Sequence, residues 1–295
     1  MEEFLRSFML GLASGGIYAL VAVSYVIIYK ATRIFAFSQA GMLVIGSYTL
    51  WQCLIVWNLP IWLSILISLA IGAAIALIIE RTCMRPLIGQ PILAPIVVTL
   101  GVMLLFRGIA LLFWHGEVRG YGGSFLPLGS WEVGYLSLPK IQVYGFVICM
   151  IVIALLISFY KYTRTGLGMR VVHEDHLVAQ NLGINVKRIF KYSWIFSCVV
   201  AVIGGMLLGN IQGVGIDLDA NGLVAIAAVL FGGLESFGGA VIAGLAIGVI
   251  QIFAISYLGA LLPGEITMLV PFVFLLLILL IKPYGLFGLV RIERL

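Results

Sequence analysis

Charge is what this sequence has least of. Asp, Glu, Lys and Arg together make up 10% of its 295 residues, whereas apolar residues make up 63%. Soluble domains carry about 25% charged residues, because a charged surface keeps them in water. With a mean hydropathy of +1.19, the chain has far more apolar surface than one soluble core buries. The composition therefore excludes a soluble domain and predicts a membrane protein.

Motifs for catalysis and metal binding are missing as well. The four cysteines contain no CxxC pair, and the three histidines form no metal-ligand motif with them. The sequence also has no phosphate-binding loop, no nucleophile elbow and no HExxH motif. We therefore predict that the chain is not an enzyme and binds no metal or cofactor of its own.

Long apolar runs, by contrast, recur along nearly the whole chain. A bilayer core about 30 Å thick is spanned by a helix of roughly 17 to 25 apolar residues, and backbone polar groups in lipid must be paired inside that helix. Such segments lie at about residues 7–29, 34–56, 60–79, 92–114, 141–160, 192–210, 222–237, 239–258 and 265–281. We therefore predict an all-α fold, a single transmembrane domain over residues 1–295 with about eight or nine membrane-spanning helices.

Basic residues cluster in alternate loops between these segments. The groups are Lys30 with Arg33, Arg81 with Arg85, the basic run after Lys161, and Lys282 with Arg291 and Arg294. By the positive-inside rule their side of the membrane is cytoplasmic, which predicts an amino terminus outside and a carboxyl terminus inside. The opposite loops carry Glu117, Glu132, Asp217 and Asp219. Since the bases are scattered between spans, nucleic-acid binding is excluded.

One polar stretch, residues 160–192, interrupts the apolar pattern. Glu174 and Asp175 suit a helix amino terminus and Gly183 supplies a stop signal, so we predict a cytoplasmic helix of about two to three turns. Its apolar residues recur at helical spacing, at Leu177, Val178 and Leu182. The pattern fits a helix held on anionic lipid by its basic flanks, and it also fits a docking helix for a cytoplasmic partner.

Blocks of the sequence resemble, in the same order, the permease subunits of ABC importers for branched-chain amino acids. They are GIYALVAVSYVIIYKATRIFAFSQAGMLVIGSY (16–48), RTCMRPLIGQPILAPIVVTLG (81–101), TRTGLGMRVVHEDHLVAQNLGINVKRI (163–189), VLFGGLESFGGAVIAGLAIG (229–248) and KPYGLFG (282–288). The blocks cover most of the chain. The resemblance implies a multi-pass permease subunit of a bacterial or archaeal cytoplasmic membrane.

The resemblance also implies partners and a coupling surface. Relatives work with a second permease subunit, as a hetero- or homodimer, with two cytoplasmic ATP-binding subunits that hold ATP and Mg, and with an extracytoplasmic substrate-binding protein. The ATP-binding subunits grip a coupling helix, whose EAA positions are occupied here by Leu177, Val178 and Ala179 and whose glycine is Gly183. The acidic first position is lost, and acidic residues stand one turn earlier. We expect the coupling surface to comprise Arg170, Glu174, Asp175, Leu177, Val178, Ala179 and Gly183.

The second span departs from the family pattern. Where relatives have an acidic residue this chain has Gly41, at the end of the run Ala36, Phe37, Ser38, Gln39, Ala40 and Gly41. We expect Phe37, Ser38, Gln39, Ala40 and Gly41 to line or border the translocation path near the middle of this span. The polar groups of Ser38 and Gln39 are not tolerated unpaired in lipid, which favours burial. The competing interpretation is a helix contact in which Ala40 and Gly41 only admit a neighbouring backbone.

Arg107 is a charge placed inside an apolar segment. Charged groups at such depths are costly and usually functional. The side chain either faces the substrate path, where it offsets a substrate carboxylate, or snorkels toward the outer interface about two turns away.

Two classes of function fit these observations. The first is a permease subunit of an ATP-driven importer for an amino acid or a related small amide or carboxylate. The second is a self-sufficient secondary carrier or channel for a small polar solute. Secondary carriers usually keep carboxylates at the membrane midplane, and the predicted spans show none there, which favours the first class.

Overall fold

The computed structural model describes residues 2–87, 89–91, 93–133, 136–174, 176–259, 266–282 and 285–288. Its first elements are α1 (Glu2–Thr32), α2 (Ser38–Trp51), α3 (Ile61–Ile78), α4 (Leu93–Trp114), and the antiparallel strands β1 (Ser130–Val133) and β2 (Leu136–Pro139). Then follow α5 (Lys140–Tyr162), α6 (Arg164–Glu174), α7 (His176–Asn181), α8 (Val186–Gln212), α9 (Leu218–Gly232), α10 (Phe237–Leu258) and α11 (Ile266–Ile281). π-helical turns extend α2 over Gln52–Val56 and α3 over Ile79–Met84, and a 3-10 turn follows at Arg85–Leu87.

Helices occupy every apolar segment that the sequence singles out. Within the described residues, seven helices are long and apolar enough to cross a membrane, and two shorter apolar helices accompany them, in α9 and α11. The predicted all-α membrane bundle is therefore confirmed. Helix α9 has 15 residues, so it is about 22 Å long and shorter than a bilayer core of about 30 Å.

The interior of the bundle is built on α1, α2 and α8. Their most apolar windows are largely buried within the chain, whereas those of α3, α4 and α5 are largely exposed. Helices α1 and α10 touch through their backbones, because a side chain at Gly15 would lie 2.8 Å from Cα of Leu245, and one at Gly248 would meet Cα of Gly15. Small residues at these positions permit such close approach.

Helix α2 begins only at Ser38, after an irregular linker that follows α1. The predicted position of residues 37–41 near the middle of the second span was therefore wrong, since they lie at the start of this helix. The linker satisfies its backbone through α4: the hydroxyl of Thr99 donates to the Phe35 carbonyl at 3.4 Å and accepts from Phe37 N–H at 3.3 Å. Irregular backbone at membrane depth requires such partners within the protein.

The outer loop after α4 folds over the ends of the central helices. Arg119 and Val214 exchange backbone hydrogen bonds of 2.9 and 2.7 Å, which ties this loop to the α8–α9 link. The Tyr121 hydroxyl donates to the Ser47 carbonyl at 3.0 Å, and the Arg119 guanidinium lies over the Trp51 ring. The carboxyl-terminal end of α2 is consequently covered by the chain itself.

The polar run contains two helices, α6 and α7, rather than the single helix predicted. Glu174 closes α6, so the interpretation of Glu174 as an amino-terminal residue was wrong. Helix α6 is stabilised by packing, because Met169 and Val172 are buried in a small core with Ile189. Gly183 follows α7 in the left-handed region at φ +75°, as expected of a helix stop. Asp175 and the side chain of Leu177 lie outside the described residues.

Candidate functional site

The start of α2 lies in the apolar interior of the bundle, and it carries buried polar atoms. Ser38, Gln39, Ala40 and Gly41 are fully buried, and Phe37 is half-buried. The Gln39 amide donates to the Cys198 sulfur at 3.6 Å. Among the described residues, neither the Ser38 hydroxyl nor the Gln39 carbonyl oxygen has a hydrogen-bond partner. Buried polar groups are normally paired, so these atoms mark a place where a further ligand or water is expected.

Two neighbouring helices close around this stretch. A side chain at Gly41 would lie 2.8 Å from Cδ2 of Phe106 and 3.2 Å from Cα of Met103, both near the middle of α4. A side chain at Gly222, in the first part of α9, would meet Cα and Cβ of Ala40. The start of α2 therefore contacts both the middle of α4 and the first part of α9, although it is the end of its own helix.

Arg107, the next residue along α4 from Phe106, forms ion pairs with the start of α9. Its Nη1 donates to Oδ2 of Asp219 at 3.0 Å, and its Nη2 lies 3.7 Å from Oδ1 of Asp217. The two sequence-based alternatives for Arg107, path-facing or snorkelling, did not include a carboxylate partner. Asp219, expected in an outer loop, lies in the first turn of α9, and its side chain is only 5% exposed.

Sequence reasoning missed Asp219 as a member of this site. A usable signal was present, since Asp219 stands at the boundary of an apolar segment while Arg107 needs a counter-charge at depth. The pairing could not be read from local sequence, because the two residues are 112 positions apart.

The first turns of α9 are also anchored by hydrogen bonds. Asn221 accepts from the Tyr18 hydroxyl at 3.2 Å and donates to the Gln212 side chain at 2.9 Å. The Tyr25 hydroxyl donates to the Gly222 carbonyl at 3.3 Å. Helices α1 and α8 thereby fix the segment that carries Asp219.

A second charged cluster lies at the opposite end of the bundle. Arg33 Nη1 donates to Oε1 of Glu235 at 3.2 Å, and its Nη2 donates to the His173 carbonyl at 2.8 Å. Lys30 donates to the Glu235 carbonyl at 2.9 Å, and Nε2 of His173 lies 3.5 Å from Oε2 of Glu235. We name Lys30, Arg33, His173 and Glu235 the cytoplasmic cluster, after the side of the membrane that the sequence predicts for them. This cluster joins the end of α1, helix α6 and the α9–α10 link.

His173 is buried within this cluster. Burial lowers the pKa of its imidazole, and the Arg33 guanidinium lowers it further, while the Glu235 carboxylate acts in the opposite direction. The neutral imidazole is consequently the favoured form at neutral pH.

The residues predicted for the coupling surface separate into buried and exposed groups. Ala179 is buried in the small core beneath α6 and α7, whereas Val178 is 50% exposed. Leu182, which was not among the predicted coupling residues, is 67% exposed. Arg170 is exposed and donates to the Lys161 carbonyl at 3.1 Å, and Glu174 is exposed at the end of α6. The surface of α7 therefore presents apolar side chains beside charged ones, outside the membrane-spanning helices.

No group of three or more His, Cys, Asp and Glu side chains that would hold a metal ion occurs within the described residues. The arrangement instead provides buried polar atoms beside a partly buried ion pair, together with a charged link to an exposed surface.

Comparisons with known proteins agree with this description. The family model "Branched-chain amino acid transport system / permease component" matches residues 7–279. LivH of Escherichia coli (strain K12), a high-affinity branched-chain amino acid transport system permease protein, is 27% identical over 99% of this chain and 97% of its own. BraD of Pseudomonas aeruginosa, which carries the same description, is 27% identical over 99% of this chain and 98% of its own.

A relative with another printed substrate is similar over a shorter stretch. The fructose import permease protein FruF of Bifidobacterium longum is 30% identical over 66% of this chain and 54% of its own. The match of the family model to nearly the whole chain decides the assignment. This chain therefore belongs to the family of branched-chain amino acid transport permease components, the membrane-spanning parts of ABC-type import systems.

Proposed function

We propose that the chain translocates an amino acid, or a related small amide or carboxylate, that an extracytoplasmic binding protein delivers. In this proposal it pairs with a second permease subunit in the lipid of the cytoplasmic membrane, with its amino terminus outside. Two cytoplasmic ATP-binding subunits hold ATP and Mg and carry out hydrolysis. The observation that carries the proposal is the cytoplasmic cluster, because it connects an exposed docking surface to helices of the membrane core.

The coupling step uses α6 and α7. Val178 and Leu182 present apolar surface to a partner, and charged residues beside them, Arg170 and Glu174, supply a polar rim. Displacement of α6 moves His173, and with it Arg33 and Glu235, which belong to the α1–α2 and α9–α10 links. ATP-driven closure of the partner subunits would reach the membrane helices by this route.

The translocation path passes the start of α2. Support comes from the buried Ser38 and Gln39 oxygens without partners and from the neighbouring charge of Arg107. Phe37, Ala40 and Gly41 shape this place by packing. Tight packing of Gly41 against α4 equally suits the helix-contact interpretation, so Gly41→Leu blocks transport under either one.

Co-purification tests the proposal. The chain, expressed with the other proteins of its transport system and solubilised gently, is expected to retain two ATP-binding subunits and to hydrolyse ATP faster with the loaded binding protein. Deletion of α7 is expected to abolish retention. A chain that transports solute in liposomes without any ATP-binding protein is a secondary carrier or channel, which contradicts the proposal.

A further inference from the structure

The ion pairs of Arg107 are asymmetric. Asp219, with a side chain only 5% exposed, holds one edge of the guanidinium at 3.0 Å. Asp217 stands 3.7 Å from the other edge, and its side chain is 79% exposed. The Arg107 side chain itself is 41% exposed. One aspartate thus fixes the arginine, while the second aspartate and the edge of the guanidinium that it faces are both accessible.

The position of Arg107 along α4 indicates what its exposed side chain faces. Arg107 precedes Trp114, the last residue of α4, by about two turns, or roughly 10 Å along the helix axis. Arg107, partly exposed at that position, is not left against hydrocarbon, and Asp217 of the α8–α9 link lies beside it. Their exposed side therefore faces a water-filled path or the second permease subunit that borders it.

We propose that Arg107 and Asp217 form an outer polar station for a zwitterionic α-amino acid. The substrate carboxylate binds the accessible edge of the Arg107 guanidinium, whose paired N–H groups match a carboxylate. The substrate ammonium binds the Asp217 carboxylate, and Asp219 keeps the arginine oriented. This inference rests on the proposed function and narrows its substrate class, because a neutral amide or a simple carboxylate satisfies only one half of the station.

The station also accounts for the missing acidic residue at position 41. Asp219 lies one helical turn before Gly222, which packs on Ala40, and Arg107 adjoins Phe106, which packs on Gly41. The carboxylates of this region thus come from the start of α9 instead of from α2. Inward of the station, the unpaired oxygens of Ser38 and Gln39 are acceptors for an ammonium group.

Uptake and ATP hydrolysis, measured together, test the station. The probe is a radiolabelled mixture of the standard amino acids, offered with the binding protein to the whole importer in proteoliposomes. Because Asp217→Asn removes one charge-assisted interaction with the substrate, it is expected to reduce uptake roughly tenfold. Arg107→Gln also removes the buried ion pair with Asp219, so its loss of uptake is expected to be at least as large. ATP hydrolysis stimulated by the binding protein is expected to persist, and Asp217→Glu to restore uptake.

Glu117→Gln is the matched control. Its side chain is 76% exposed and lies 3.7 Å from Arg119, so it repeats the geometry of Asp217 in the outer loop, and uptake is expected to stay at the wild-type level. Normal uptake by Asp217→Asn overturns the station, as does loss of stimulated ATP hydrolysis in parallel with uptake. A wild-type importer that hydrolyses ATP but carries no amino acid overturns the zwitterion assignment alone. Absence of an associated ATPase overturns the proposed function itself.

Discussion

At the scale of single residues, Glu235 is where the cytoplasmic surface meets the membrane core. Its carboxylate faces both Arg33 and His173, and its carbonyl accepts from Lys30. The contacts of the carboxylate come from two places, the α1–α2 link and α6, so the loss of this one charge weakens both.

Glu235→Gln is expected to uncouple transport. The amide removes the charge that pairs with Arg33, so uptake per ATP hydrolysed should fall severalfold while the ATP-binding subunits stay attached. Glu80→Gln is the control, because Glu80 pairs with Arg85 at the same 3.2 Å separation as Glu235 with Arg33. Equal coupling ratios in the two variants would contradict a transmitting role for Glu235.

His173 should make the cytoplasmic cluster sensitive to acid. Burial lowers the pKa of His173, so the folded chain binds a proton less tightly than an unfolded chain, whose histidine has a pKa of about 6.5. Stability from the neutral imidazole is therefore present above about pH 6.5 and is lost as the pH falls toward the folded-state pKa. The charges that face the ring are Lys30, Arg33 and Glu235.

Protease accessibility of α6 and α7 measures this effect. Cleavage should rise between about pH 6.5 and pH 5 in the wild-type protein relative to His173→Gln, which cannot take up the proton. Identical pH profiles for the two proteins would show that the histidine has no part in holding α6.

At the scale of elements, α7 depends on the residue that ends it. Gly183 has φ +75°, and its N–H donates to the Gln180 carbonyl at 2.9 Å. Proline holds φ near about −65° and has no N–H, so Gly183→Pro removes the end of the helix.

Gly183→Pro is expected to abolish uptake and ATPase attachment, with the protein still inserted in the membrane. Gly183→Ala keeps the N–H and pays only the left-handed strain of about 1 kcal/mol, so it should retain most of the attachment. The measurement is co-purification of the ATP-binding subunits with each variant. Full attachment with proline would place the docking surface elsewhere.

Some of these elements could be predicted from the sequence and others could not, for physical reasons. The membrane helices follow from local apolar length alone, which explains why each predicted segment contains one. Helix α6 was missed because Gly166 and Gly168 disfavour an isolated helix, whereas a contact such as that of Gly168 with Ile189 stabilises it. The pairs Arg107–Asp219 and Arg33–Glu235 join residues 112 and 202 positions apart, and no local pattern encodes such partners.

At the scale of the whole molecule, the distribution of charge predicts an orientation across the membrane. The basic cluster of Lys30 and Arg33 lies with α6 and α7 at one end, and the loop that carries Glu117 and Arg119 closes the other end.

Cysteine labelling tests this orientation. Single cysteines at Val118 and Leu182, which are 68% and 67% exposed, are introduced after replacement of Cys53, Cys83, Cys149 and Cys198. An impermeant maleimide applied to intact cells should label position 118 and leave position 182 unmodified until the cells are opened. The reverse result would invert the topology and place α7 outside.

The contact between α1 and α10 has a mechanical consequence. Backbone against backbone at Gly15 and Gly248 leaves no side chains that could slide or be compressed. We therefore expect the two helices to move together as a rigid pair, of which the 22-residue α10 is about 33 Å long. Lys30 lies near one end of this helix pair, and Glu235 just precedes α10. A displacement of α6 at that end is therefore expected to tilt both helices together and to move their opposite ends.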